Sequence, residues 1–142
     1  MRFSEAEHNE LIEFYRQNGL EVSSDIAAED GAVYSIKSIQ NGRLQAAATL
    51  SLRFGVYILD YIAVDSKFRG RNLGALALKC ILEKAKGFGA DKLFITARNP
   101  SFFEHFGFKE GSPDGVDMNA DCVGCPEYNN GCLKKPMYID IR

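Results

Sequence analysis

Residues 58–75 read ILDYIAVDSKFRGRNLGA, and the rest of the architecture can be ordered outward from them. An apolar run ending at Val64 predicts a strand. A short polar connection follows, then a turn rich in Arg and Gly that opens into a helix. The first N–H groups of a helix have no intrahelical acceptor and lie at the positive end of the macrodipole, so a helix start favours anions. Arg69 and Arg71 add charge there, while Gly70 and Gly74 let a phosphate approach the main chain closely.

Upstream, the Ser4-Glu5-Ala6-Glu7 spacing predicts a capping box and a helix carrying Leu11, Ile12, Phe14 and Tyr15, stopped at Gly19. Ala32 to Gln40 reads as a strand, turned by Asn41-Gly42 into a second strand. That strand alternates: Ala46, Ala48, Leu50, Leu52 and Phe54 share one face, while Gln45, Ala47, Thr49, Ser51 and Arg53 predict a less buried one. Val56 to Val64 is apolar on both faces, as expected of a central strand. The next helix places Leu73, Leu76, Ala77, Cys80 and Ile81 on one side and ends at Gly87 and Gly89. Lys92 to Thr96 predicts a buried strand, Pro100 to Phe106 a helix stopped by Gly107, and Phe108 and Lys135–Ile141 the last strands.

Antiparallel strands followed by strand–helix–strand–helix imply an α/β mixed sheet with helices on both faces. The length of 142 residues without internal repeat fits one domain, residues 1–142. A net charge of −2 and scattered Lys and Arg argue against nucleic-acid binding. The apolar run 56–64 is too short to span a bilayer, and Met1-Arg2-Phe3 has no signal-peptide character, so a cytoplasmic location is expected.

The Arg69-Gly70-Arg71-Asn72-Leu73-Gly74 turn, preceded by Ala63-Val64-Asp65, resembles the Arg/Gln-x-x-Gly-x-Gly/Ala signature of the GNAT superfamily of acetyl-CoA-dependent N-acetyltransferases. Asn72 stands where that family has its first Gly. Asn tolerates left-handed backbone angles, so a similar turn is feasible. The resemblance covers nearly the whole chain from Ala32 onward. It implies a GNAT-type, mostly antiparallel mixed sheet splayed at the fourth family strand, with the first family strand reduced or missing. It also implies acetyl-CoA as co-substrate, its pyrophosphate on Arg69, Gly70, Arg71, Asn72, Leu73, Gly74 and Ala75. The pantetheine arm would then pair with the main chain of Ile62, Ala63 and Val64. Homodimers are common in the superfamily.

The 95–108 stretch, ITARNPSFFEHFGF, is similar to the acetyltransferase module of bacterial N-acetylglutamate synthases and their small stand-alone relatives. By that analogy Arg98 is a candidate for pairing with an acceptor carboxylate; the alternative is a surface arginine at a strand end. Many members carry a Tyr, the acid for the leaving thiolate, where this chain has Phe103. Tyr61 is a candidate substitute acid, although a strand tyrosine commonly packs in the core. Asp60 lies in an apolar run, in line with Ile58, Ile62 and Val64. It is either ion-paired with an Arg or Lys or a base for the acceptor amine. Glu104 and His105 fall on the helix near the expected thioester, and His105, which titrates near neutrality, is either a packing residue between two Phe or a reserve candidate.

Cys122, Cys125 and Cys132 fall in a Gly-, Pro- and Asn-containing loop at about 113–134. Three thiols are one short of a structural zinc site. Zinc completed by Asp121 or His105, free thiols and a disulfide all stay open, and Cys80 reads as a small buried hydrophobe. The resemblance implies that this loop borders the acceptor pocket. The sequence thus points to an N-acetyltransferase acting on a small primary amine, an amino acid among the candidates. Its rivals are a non-catalytic acyl-CoA-binding module and, more remotely, a cysteine-based metal or redox protein.

Overall fold

The computed structural model describes residues 3–18, 31–53, 55–68, 72–97, 100–111 and 135–141. Among the described residues seven strands form one sheet in the order β1-β2-β3-β4-β5-β7-β6. They are β1 (Ser4–Ala6), β2 (Ala32–Gln40), β3 (Arg43–Arg53), β4 (Val56–Val64), β5 (Lys92–Ala97), β6 (Lys109–Glu110) and β7 (Lys135–Asp140). Every neighbouring pair is antiparallel except β4 with β5. The α-helices among the described residues are α1 (His8–Gln17), α2 (Leu73–Gly87) and α3 (Pro100–His105).

The β2–β3 hairpin turns on Asn41 and Gly42, both at positive φ (+54° and +75°), the conformation that makes Asn-Gly the favoured two-residue loop. The first family strand is reduced rather than missing: Ser4–Ala6 pairs with Ser35–Lys37. The expected capping box at Ser4 is therefore replaced by one a turn later, where Glu10 accepts a bond from the Glu7 N–H at 3.1 Å. At the far end Asn18 closes α1, its side chain donating to the Phe14 carbonyl at 2.8 Å. Gly19 lies outside the described residues.

Two cores flank the sheet. On one face Ala77, Leu78, Ile81 and Ala85 of α2 pack with Ala48, Leu50, Leu59, Leu93, Ile95 and Met137, joined by Phe103 and Phe108. On the other, Leu11, Phe14 and Tyr15 of α1 cover Ala47 and Ala63. The buried side of α2 is rotated from the expected one: Leu78 is inside and Leu76 is 41% exposed. The polar face of β3 also differs from expectation. Gln45, Thr49 and Ser51 are buried, and α1 packs over this face with His8 and Tyr15 against Thr49. No helix among the described residues is long and apolar enough to cross a membrane.

Candidate functional site

The parallel ladder between β4 and β5 consists of two residue pairs, Tyr57↔Leu93 and Ile58↔Phe94. Beyond Ile58, β4 stays paired to β3 as far as Val64↔Ala46 while β5 diverges from it. Among the described residues an opening between the two strands therefore begins beyond Ile58, with the main chain of Ile62, Ala63 and Val64 on its β4 side. Ile62 packs into the α2-side core and Ala63 beneath α1, so alternation fixes this edge from both faces.

The opening ends at the start of α2. Asp65 anchors the link: its N–H donates to the Gln45 carbonyl (2.8 Å) and its carboxylate accepts from the Lys67 N–H (2.9 Å). A one-turn 3-10 segment, Ser66–Phe68, follows. Arg69, Gly70 and Arg71 lie outside the described residues. Asn72 has φ +59° and ψ +21°, the left-handed conformation that its chemistry permits. The first intrahelical bond of α2 runs from the Leu76 N–H to the Asn72 carbonyl at 3.0 Å. The N–H groups of Leu73, Gly74 and Ala75 thus precede any intrahelical acceptor and form the positive end of the helix. A Cβ on Gly74 would stand 3.4 Å from the Phe102 ring and 3.8 Å from Val64, so strand end, helix start and α3 converge there.

Asp60 occupies a β-bulge. The β3–β4 register is Thr49↔Tyr61 and then Leu50↔Leu59, which leaves Asp60 as the extra residue. The bulge reverses the alternation, so Ile62 joins the α2 side rather than lying in line with Asp60. Asp60 and Tyr61 both turn to the α1 side. There the Ser51 hydroxyl donates to Asp60 Oδ2, and Arg53 Nη2 lies 3.2 Å from the same oxygen. The ion pair expected as one reading of Asp60 is present. Beside it Thr49 Oγ1 is a hub, 2.8 Å from the Tyr15 hydroxyl, 3.0 Å from Ser35 Oγ and 3.2 Å from His8 Nδ1. Tyr61 stacks on Tyr15 (centroids 5.0 Å apart) and on His8 (5.4 Å). Burial pushes the Tyr15 phenol well above its ordinary range. The hydrogen bond to Thr49 opposes this shift, while the nearby Tyr61 and Asp60 charges add to it.

Sequence reading missed Arg53, Ser51, Thr49 and His8 as members of this cluster. The available signal was the polar series Gln45, Thr49, Ser51 and Arg53, which is a buried polar face and not a wet one. On α3, Phe103 is 5% exposed and meets Phe102 and Phe108 edge-on, which makes it a core residue. Glu104 and His105 are exposed. Cys80 is half-buried on α2, its thiol pushed up first by burial. Arg98, Asp121, Cys122, Cys125 and Cys132 lie outside the described residues. Among the described ones no three His, Cys, Asp or Glu side chains gather as metal ligands. A separate cavity of about 330 Å³ lies at the β1 edge, lined in part by Glu5, Glu7, His8 and Tyr34.

Solved structures share this fold at low identity. The N-acetylglutamate synthase from Neisseria gonorrhoeae, complexed with coenzyme A and N-acetyl-glutamate, superposes with a TM-score of 0.70 at 17% identity. The match covers 100% of this chain and 36% of the synthase, so the chain spans about a third of that protein. The ribosomal-protein-S18-alanine N-acetyltransferase from Escherichia coli matches with a TM-score of 0.70 at 19% identity, over 99% of this chain and 93% of that one. An aminoglycoside 6'-N-acetyltransferase complexed with coenzyme A gives 0.70 at 16%, over 100% and 98%. No curated protein matches the sequence at a significant level. The sequence profile of the acetyltransferase (GNAT) family matches residues 3–108, from β1 through the splayed strands and the helix start to Phe108, and the chain belongs to that family.

Proposed function

We propose that the protein is an acetyl-CoA-dependent N-acetyltransferase that acylates the primary amine of a small acceptor, with free amino acids among the first candidates. The observation that carries this reading is the opening between β4 and β5, which leads directly to the uncapped N–H groups of α2. An extended, phosphate-terminated ligand fits both parts. Its amide arm would pair along Ile62, Ala63 and Val64, and its pyrophosphate would rest on the turn from Arg69 to Ala75. The co-substrate supplies an activated thioester carbonyl.

The chain's own residues then position the amine and manage its proton. The amine attacks only when neutral, and Asp60, at the bulge beside the opening, is the proposed acceptor of its proton, directly or through a water. A thiolate is a good enough leaving group to depart without a dedicated acid. Tyr61, next to Asp60 on the same face, is the candidate if one is used. Holding two reactants in line accounts for most of the rate in such a site. Arg98 is proposed to meet an acceptor carboxylate, and the 113–134 segment to border the acceptor.

One observation favours a second reading, a non-catalytic acyl-CoA-binding module: Phe103 sits in the core where many members carry the acidic phenol. CoA release from acetyl-CoA, followed against pools of amino acids, amines and peptides, separates the two. Acceptor-dependent release supports the enzyme. Binding of acetyl-CoA without release from any pool supports the module.

A further inference from the structure

Arg53 is the last residue of β3, paired with Val56 at the end of the hairpin remote from the start of α2. Its guanidinium reaches back along the α1-side face to Asp60 Oδ2, the oxygen that also accepts from Ser51. The two charged side chains are 26% and 17% exposed, a setting in which solvent screens their attraction only in part. The arginine stem is held from behind by Gly31. A Cβ at that glycine would come within 3.0 Å of Arg53 Cγ and 3.1 Å of Nε, and its φ of +106° suits glycine alone. Its carbonyl accepts from the Leu52 N–H at 2.7 Å, locking the backbone that makes the room. The bulge and Gly31 thus serve one contact: the first turns Asp60 toward Arg53, and the second lets Arg53 lie flat enough to reach it.

We propose that Arg53 is a positioning residue for the reaction, fixing the orientation of the Asp60 carboxylate and keeping it ionised at the pH where the acceptor amine must lose its proton. The inference rests on the reading of Asp60 as proton acceptor. Among the described residues other groups also face Asp60. Ser51 lies beside Arg53 on β3, Tyr61 is adjacent on β4, and Tyr15 of α1 feels the Asp60 charge, with His8 stacked behind Tyr61. Among them Arg53 is the fixed positive charge, so its removal has a defined direction: the carboxylate takes up a proton at higher pH.

The test compares wild type, Arg53→Gln, Arg53→Lys and Asp60→Asn with two readouts. One is the carboxyl ¹³C titration of Asp60 in the isolated protein. The other is the pH profile of kcat/KM for CoA release with the amine that the acceptor panel returns. In Arg53→Gln the Asp60 midpoint and the acid limb of the profile should rise together by about one unit or more. Arg53→Lys should return most of that shift, and it keeps the test alive if the Gln variant folds poorly. An unmoved Asp60 midpoint in Arg53→Gln overturns the proposal. So does a kinetic limb that is lost in Asp60→Asn yet unmoved in Arg53→Gln, and that result leaves Asp60 as the base. A wild-type limb retained in Asp60→Asn removes the base reading itself, and Arg53's role with it.

Discussion

Asp60 and Tyr61 are consecutive residues of one strand, yet both point to the same face of the sheet, one against Arg53 and the other against Tyr15 and His8. In a regular strand they would point to opposite faces. The extra residue of the bulge is what places a carboxylate and a phenol side by side under α1.

Thr49, opposite Tyr61, holds three buried partners through one hydroxyl. Replacing it with Val keeps the volume and leaves those partners without their shared oxygen. Thr49→Val is expected to lose about 2–4 kcal/mol of stability, read from the urea midpoint at unchanged slope. A loss below about 0.5 kcal/mol would mean that the hub is bypassed.

Alkaline pH should act on the same cluster. The Tyr15 phenol is raised in the folded state, chiefly by burial, and Tyr34, on the opposite α2 side of the sheet, is raised too. The stability held by the neutral phenols is complete below the unfolded value of about 10 and is lost as pH climbs beyond it. Thermal melts between pH 8 and 11.5 should show a falling midpoint that is shallower in Tyr15→Phe. Parallel curves for the two proteins would refute this.

Much of the frame was legible in the sequence. The ends of β2 and β4 follow from Asn41-Gly42 and from apolarity on both faces, and the left-handed turn at Asn72 follows from the residue's own chemistry. The bulge was hidden because residues 56–64 are apolar on both faces, so a single inserted residue has no polar–apolar alternation to break. β1 escaped because three residues carry too little periodicity to compete with a capping signal. The buried polar face of β3 depends on α1 lying across it, a tertiary fact that alternation alone does not encode.

At Asn72 the positive φ should govern substitution more than side-chain chemistry does. Asn72→Gly is expected to keep or slightly raise the melting temperature and to hold CoA affinity within about threefold. Asn72→Val should lose about 1–2 kcal/mol and weaken CoA at least about tenfold, by calorimetric titration.

Gly74 allows packing and ligand approach to be separated. A methyl there meets Phe102 and Val64 at ordinary contact distances, and alanine gains helix propensity of up to about 1 kcal/mol. Gly74→Ala should therefore melt no lower than wild type while binding CoA more weakly. Unchanged CoA affinity would show that the glycine serves Phe102 alone.

On the surface, the Lys37 ammonium 3.0 Å away and the Glu7 N–H hold the Glu10 carboxyl below its usual range. The contribution of this ion pair is present above the unfolded carboxylate value and is lost as pH falls through the lowered one. Wild type and Glu10→Gln should differ in urea midpoint at pH 7 and converge near pH 3.

The two residue pairs between β4 and β5 make that seam a short one in the interior of the sheet. The β1–β4 half and the β5–β7–β6 half meet at this short seam and in the core on the α2 side, which holds residues of both. Backbone amides on the two sides can therefore open with different free energies, as separate cooperative units in hydrogen exchange. A ligand lying along the edge of β4 would act as a missing strand and merge those units into one. Slowed exchange spreading from β4 into β5 and β7 would then report occupancy of the opening, without any need for turnover.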